Sequence, residues 1–277
     1  MKIAVTGASG LIGSRIIELL KNDFTFIPLS NDRMDVTNEK EVNSVLRDVD
    51  FDLLLHLAAY TSVDGAELEK ERAYAINVSG TGYILSAVKA KNKKLVYVST
   101  DFIFDGIKPP FREDSSPNPL SYYGLTKLQG ENLVKNFGMI VRLAYPYRSP
   151  FPMKKDFVQS ILGRLKANQE LLMVTDSLIT PTFVDDIAYG LKFLLYNYSS
   201  GTYHLVGADS LSPFQAAKTI AEIWKLDQNL IKPTTFEDYQ KNKARRPQFS
   251  QIISTKNTFW PMKSFREGLK IVYDISL

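Results

Sequence analysis

The stretch SYYGLTKLQGE, residues 121–131, sets Tyr123 four positions before Lys127. On a helix, residues at i and i+4 lie one above the other on the same face. An ammonium beside a phenol stabilises the phenolate and lowers a tyrosine pKa from about 10. Such a tyrosine can exchange a proton with a substrate oxygen near neutral pH, and a neighbouring Thr or Ser hydroxyl can hydrogen-bond the same oxygen. Tyr122 is the competing candidate, but its i+4 partner is Thr126, which brings no positive charge. Tyr123 is therefore the expected proton donor. The hydroxyl partners are at hand in the strand KLVYVSTD, which ends in Ser99, Thr100 and Asp101. That carboxyl edge is where open α/β sheets place their ligands.

A second set of residues points to a phosphate. The first strand runs into TGASGLIGS, with Gly7, Gly10 and Gly13 spaced G-x-x-G-x-x-G and Leu11 and Ile12 opening the next helix. Glycines at a first strand-to-helix turn allow a tight bend and a close approach of the backbone to a pyrophosphate at the helix N-terminus. The second strand ends in IPLSNDRMDV. An acid there accepts hydrogen bonds from a ribose 2′-hydroxyl, while small polar residues with an Arg accommodate a 2′-phosphate. Ser30, Asn31 and Arg33 lean to NADPH, and Asp32 leaves NADH open.

The elements that must position these groups alternate. IAVTG, FTFIPLS, DLLLHLAA, KLVYVST and GMIVRLAY read as strands. Helices are expected over LIGSRIIELLKN, over NEKEVNSVLRD, as one long helix from about Ala66 to Lys91, and over the Tyr123 segment. Apolar strands alternating with helices predict an α/β fold, a Rossmann-type doubly wound parallel sheet. After about residue 145 the pattern loosens into PYRSPFPMKK and the helices FVQSILGRLKA, VDDIAYGLKFLLYN and PFQAAKTIAEIWK. Residues 1–145 are thus expected to form the NAD(P)-binding domain. Residues 146–277 are expected to form mainly a small discontinuous C-terminal substrate-binding lobe, with segments returning to the Rossmann core.

Bulk composition narrows the function classes. The 277 residues are 44% hydrophobic, ample for a sizeable core, and 34 basic against 30 acidic residues leave a net charge of +4 without a long basic block. Nucleic acid is not implied. The runs KAKNKK and KNKARR read as a helix C-terminus and a charged surface segment. The chain has no cysteine, and its two histidines, His56 and His204, fall inside expected strands, so no metal site is expected. MKIAVTGASG carries no secretion signal, and no apolar run reaches membrane-spanning length. A cytoplasmic location and no membrane contact are expected.

Taken together, TGASGLIG, DVTN, HLAAYTSVDGAE, AINVSGT, VYVSTDFIFDG, YYGLTKLQGE and TPTFVDDIA resemble the extended short-chain dehydrogenase/reductase superfamily, and within it the dTDP-4-dehydrorhamnose reductase family. The likeness runs nearly end to end. It implies that NAD(P)H delivers hydride to C4 of a dTDP-linked 4-keto-6-deoxy sugar. Tyr123 would protonate the developing alkoxide, Lys127 would hold the nicotinamide ribose and tune Tyr123, and Thr100 would orient the carbonyl. The resemblance further implies that Asp35 and Val36 lie by the adenine. It puts Ala58, Ala59, Tyr60 and Ser99 in the cofactor cleft, with Asn77 supporting the site from the long helix. From the residues alone, Asp35 could equally cap the following helix, and Asn77 could be an ordinary buried amide.

Substrate contacts implied by the resemblance are Thr100, Asp101, Phe102, Tyr145 and Arg246. The family's tryptophan and tyrosine-glycine are replaced by the Arg142–Arg148 run RLAYPYR, and the usual glutamine and glycine after Asp176 are missing. Tyr145 can still stack on a sugar or base. Arg246, in RRPQFSQ, could hold a diphosphate or simply face solvent. A related dehydratase needs an Asp and then a Glu after the catalytic Thr. Here Asp101 is followed by Phe102, which disfavours dehydration. A nucleotide-sugar epimerase remains an alternative, as does a non-catalytic regulatory subunit like that of methionine adenosyltransferase. The resemblance also allows a homodimer.

Overall fold

The computed structural model describes residues 1–153 and 155–276. The chain opens with β1 (Lys2–Thr6), α1 (Leu11–Leu20), β2 (Thr25–Leu29), α2 (Glu39–Asp48) and β3 (Leu53–His56). Next come α3 (Val63–Leu68), α4 (Lys70–Tyr74), a π-helical turn at Ala75–Ser79, α5 (Gly80–Ala90) and β4 (Lys94–Thr100). A 3₁₀ turn at Asp101–Ile103 leads to α6 (Tyr122–Val134) and β5 (Met139–Leu143).

Strand order in the main sheet is β2-β1-β3-β4-β5-β9, the last strand being Gly201–His204, and every pairing is parallel. Parallel strands are buried on both faces, and the alternation of side chains divides them between two cores. Ile3, Val5, Leu55, Val96 and Val141 pack against α1 and α8 (Val184–Tyr196). Ala4, Leu54, Leu95 and Tyr97 pack against α2 and α5. The order reverses between β1 and β3, and the crevice at that switch point is the expected ligand site.

The long helix expected over Ala66–Lys91 is broken into pieces. Glu69 leaves helical conformation (φ −112°, ψ 52°), and its amide closes α3 onto the Gly65 carbonyl. The wider π turn then displaces Asn77 inward, where it is 1% exposed. π turns inserted into α-helices often mark functional positions.

The lobe after β5 is built from β6 (Pro146–Tyr147), α7 (Phe157–Lys166), β7 (Leu171–Val174), β8 (Thr182–Phe183), α9 (Pro213–Ile223), β10 (Ile231–Thr234), α10 (Phe236–Gln240) and α11 (Phe265–Ile275). The apolar C-terminal stretch GLKIVYDI lies in α11. A capping box between Ser264 and Glu267 starts this helix, and Phe265, Gly268, Leu269 and Val272 form its buried face. With Tyr147, Val158, Ile161, Phe183 and Ile220 they make a third core. α8 and β9, by contrast, pack into the sheet layers of the first half.

No helix among the described residues is long and apolar enough to cross a membrane. Both histidines end strands and are buried. His56 is bracketed by the Thr6 and Thr81 hydroxyls at 2.7 and 3.1 Å. Within KAKNKK, Lys89 sits in the last turn of α5, while Lys91 donates to three carbonyls at the end of α2, those of Leu46, Arg47 and Val49.

Candidate active site

Helix α6 starts where its sequence says it should. Ser121 is the N-cap, its hydroxyl accepting from the Gly124 amide at 3.2 Å, and Glu67 accepts from the Tyr122 amide at 2.8 Å. This start points Tyr123 at the end of β4, with its ring edge-on to Phe102 at 5.7 Å between centroids. Tyr122 faces elsewhere, under the ammonium of Lys70, and Thr126 is tied to Asn77 at 2.9 Å.

Tyr123 and Lys127 are 8% and 3% exposed. Burial pushes the phenol up to about 12, with the Thr100 hydroxyl opposing the shift and the Asp101 charge adding to it. The expected lowering of the phenol by Lys127 is not found. The ammonium turns under β4 instead, donating to the Val98 carbonyl at 2.8 Å over the face of Tyr97, 4.1 Å from the ring centroid. Burial there pulls Lys127 down to about 7, against the pull of Glu131. Desolvation penalises the charged form of both groups, so the phenol rises and the amine falls.

Thr100 donates to Asp101 Oδ1 at 3.0 Å and accepts from the Phe102 amide at 3.3 Å. Asp101 is 2% exposed, and burial lifts its carboxyl to about 6 against the hydrogen bonds it accepts from Ser250 and Thr100. Tyr145 lies 6.4 Å from Phe102 and 6.2 Å from Phe157, centroid to centroid, so Tyr123, Phe102, Tyr145 and Phe157 form an aromatic row along one wall.

A single cleft of about 930 Å³ runs from this row to the glycine loop. Gly7, Gly10, Leu11, Ile12, Gly13, Ser30, Asn31, Asp35, Val36, Ala58, Ala59, Ser99, Thr100, Asp101, Phe102, Tyr123, Lys127 and Tyr145 all line it. Four expected residues do not. Arg33 is anchored outside through Nη1 to the Pro28 carbonyl, 3.0 Å away. Tyr60 donates from its hydroxyl to Glu69 at 2.8 Å. Asn77 acts from behind the wall, its amide accepting from the Tyr60 backbone and donating to Thr126. Arg246 pairs with Asp64 at 2.8 Å. Asp35 does not cap α2, because that cap is Asn38; its carboxylate accepts from the Thr37 amide and hydroxyl.

The cleft suits a dinucleotide. Gly7 has φ +65°, and a Cβ there would stand 2.7 Å from the Ala58 amide nitrogen. At Gly13 a Cβ would stand 2.4 Å from the Gly7 carbonyl. α1 has no side-chain cap and no acid in its first turn, which leaves amides and a positive helix end for a phosphate. The Ser99 hydroxyl is buried with no partner among the described residues.

The cleft also includes Arg72, Lys155, Asp156 and Phe157, which the sequence reading passed over. Asp156 had a usable signal as an acid before an apolar helical pattern. It is the N-cap of α7, accepting from the Gln159 amide at 2.8 Å. Arg72 and Lys155 had none, since a cation in a helix or loop carries no mark of the cavity it borders.

Fold and cleft together define a Rossmann-type dinucleotide-binding protein with a Tyr–Lys pair at the carboxyl edge of its sheet. Within that class the chain belongs to the family described as the RmlD substrate binding domain, whose model matches residues 1–276. It is similar to a dTDP-4-dehydrorhamnose reductase of Aggregatibacter actinomycetemcomitans, 32% identical over 92% of this chain and 91% of that one. Among solved structures it is similar to the dTDP-4-dehydrorhamnose reductase of Bacillus anthracis in complex with NADP, with 31% identity, a TM-score of 0.91, and coverage of 100% and 99% of the two chains. The Bos taurus methionine adenosyltransferase 2 subunit beta is 27% identical over 91% of this chain and 80% of its own length.

Proposed function

We propose that the protein is an NADPH-dependent oxidoreductase that reduces the 4-keto group of a dTDP-linked 6-deoxy sugar, dTDP-4-dehydrorhamnose. The observation that carries this reading is the convergence of Tyr123, Thr100 and Lys127 at one end of a dinucleotide-shaped cleft. NADP in the B. anthracis reductase, and the names of the relatives, support both the cofactor and the substrate.

When bound, NADPH supplies a hydride to the carbonyl carbon. The protein's own groups manage the oxygen. Burial keeps the Tyr123 phenol protonated through the physiological range, so its Oη holds the proton that the developing alkoxide needs. Thr100 Oγ1 is placed to hydrogen-bond the same oxygen and to stabilise its charge. Lys127, adjacent on α6, orients the ribose, and an anion near its ammonium would favour the charged form.

Gly7, Gly10 and the first amides of α1 hold the pyrophosphate. Val36 and Asp35 flank the adenine, and Arg33 reads the 2′-phosphate. The aromatic row Phe102–Tyr145–Phe157 gives the sugar an apolar wall. Arg246, released from Asp64, reaches the diphosphate. In this reading the lobe of residues 146–277 adds Phe157 and Arg246 to substrate contacts that come otherwise from Thr100, Phe102 and Tyr145, and the reaction runs in the cytoplasm, where NADPH is renewed.

The test is the loss of reduced-nicotinamide absorbance with dTDP-4-dehydrorhamnose, beside Tyr123→Phe. Turnover in the wild type that falls at least 100-fold in the variant, with NADPH binding retained, supports the reading. NADPH binding without turnover in the wild type rejects this substrate and turns the search to other nucleotide-linked 4-keto sugars or to a regulatory partner.

A further inference from the structure

Thr100 has one proton. In the structure that proton is directed to Asp101 Oδ1, and the hydroxyl's orientation is therefore set by where the Asp101 carboxyl lies. Asp101 is in turn held by a residue 149 positions away. Ser250 Oγ donates to Asp101 Oδ2 at 2.6 Å, and both side chains are buried. Each carboxyl oxygen thus receives one hydroxyl, one from the active-site strand end and one from the C-terminal lobe.

The backbone at Ser250 has its own supports. Its amide donates to the Leu178 carbonyl at 2.8 Å, and its carbonyl accepts from Thr180 Oγ1 at 3.2 Å. Neighbouring bridges join Leu178 to Phe249 and Phe111 to Ile252. None of these contacts uses the Ser250 hydroxyl. The segment is therefore fixed by main-chain bonds, and the side chain has the carboxyl of Asp101 as its hydrogen-bond partner.

We infer that Ser250 is a positioning residue for the reduction, acting through Asp101 to aim the Thr100 hydroxyl at the substrate carbonyl. When Thr100 swings its proton from Asp101 to the substrate oxygen, Ser250 keeps the buried carboxyl in place and satisfied. Backbone amides of Asp101 and Phe102 also bond the carboxyl, so without Ser250 it stays at the strand end but is free to turn or to hold Thr100 more tightly, and both move the hydroxyl off the carbonyl. This rests on the proposed reductase activity.

The experiment compares wild type, Ser250→Ala, Asp101→Asn and the double variant at saturating NADPH, reading kcat, KM and NADPH affinity. We expect about a tenfold loss of kcat in each single variant, the rate equivalent of one hydrogen bond to a charged group. NADPH affinity should be unchanged, and the double variant should be no worse than the poorer single one. Ser250→Thr, which keeps the hydroxyl, should recover most of the rate. Additive losses, or an unaltered kcat in Ser250→Ala alongside an active wild type, overturn the inference alone. A wild type that binds NADPH but turns over no substrate overturns the reading beneath it, and the inference with it.

Discussion

Lys127 and Val98 are joined by a 2.8 Å hydrogen bond from the buried ammonium to the strand carbonyl, and this bond turns the lysine away from the tyrosine that shares its helix face. The pair Tyr123–Lys127 is thus a pair by spacing, while electrically each answers first to its own burial.

The stability of the cofactor-free protein should carry the signature of Lys127. Its pKa is about 7 when folded against an ordinary 10.5. Between those values the unfolded chain binds the extra proton, so stability rises with pH there and the penalty is fully present below pH 7. The buried tyrosines, raised when folded, reverse the trend above about pH 10. Lys127→Met removes the lysine contribution. Its Tm relative to wild type should be most favourable at or below pH 7 and lose that advantage by about pH 10. A Tm difference independent of pH over this window would show that the ammonium is not desolvated.

The buried pair below the site makes a different demand. Arg142 holds Glu131 through two bonds, at 3.0 and 2.8 Å, with side chains 6% and 4% exposed. Removing one partner strands a buried charge. Arg142→Met should cost about 3–5 kcal/mol in denaturant unfolding. Glu131→Gln with Arg142→Met should cost clearly less than the two single losses summed, since neither then leaves an unpaired charge.

What the sequence showed and what it hid follow from the range of the interactions. The sheet was legible because parallel strands such as LLLH are largely apolar, and the glycine turn because the regular spacing of Gly7, Gly10 and Gly13 after a strand shows in the sequence even though the atoms crowding Gly7 come from Leu57 and Ala58, about fifty residues on. The break at Glu69 and the π turn at Asn77 were not, because tertiary bonds to Tyr60 and Thr126 fix them while the local sequence favours continuous helix. The direction of Lys127 was hidden for the same reason: spacing gives the helix face but not the carbonyl that captures the ammonium. Ser250 lies in RRPQFSQ beside Arg246, yet its meeting with Asp101 spans 149 residues and has no periodicity to betray it.

Gly13 and Gly82 should separate close approach from helix propensity. A methyl at Gly13 meets the Gly7 carbonyl at 2.4 Å, so Gly13→Ala must push α1 from the loop. We expect at least a tenfold weaker NADPH affinity by fluorescence titration and a loss of about 1–3 kcal/mol in stability. At Gly82, inside α5, a Cβ meets only the Leu133 side chain, at 3.8 Å. Gly82→Ala should stabilise the protein by roughly 0.5–1 kcal/mol and leave NADPH affinity alone. Equal effects at both sites would contradict the cradle.

Arg33 tests the choice between the two dinucleotides. It is exposed beside Ser30 and Asn31, anchored by Nη1 on the Pro28 carbonyl, while Asp32 faces solvent next to it. A guanidinium there gains charge-assisted bonds only from a 2′-phosphate, and each such bond contributes about 1.5–3 kcal/mol. Arg33→Ala should weaken NADPH binding by roughly tenfold or more and leave NADH nearly unchanged. Because the site is exposed, raising the salt concentration should narrow the gap between the cofactors in the wild type and barely move it in the variant. A parallel loss for NADH and NADPH would mean that Arg33 serves the loop's shape, and that Ser30 and Asn31 alone set the preference.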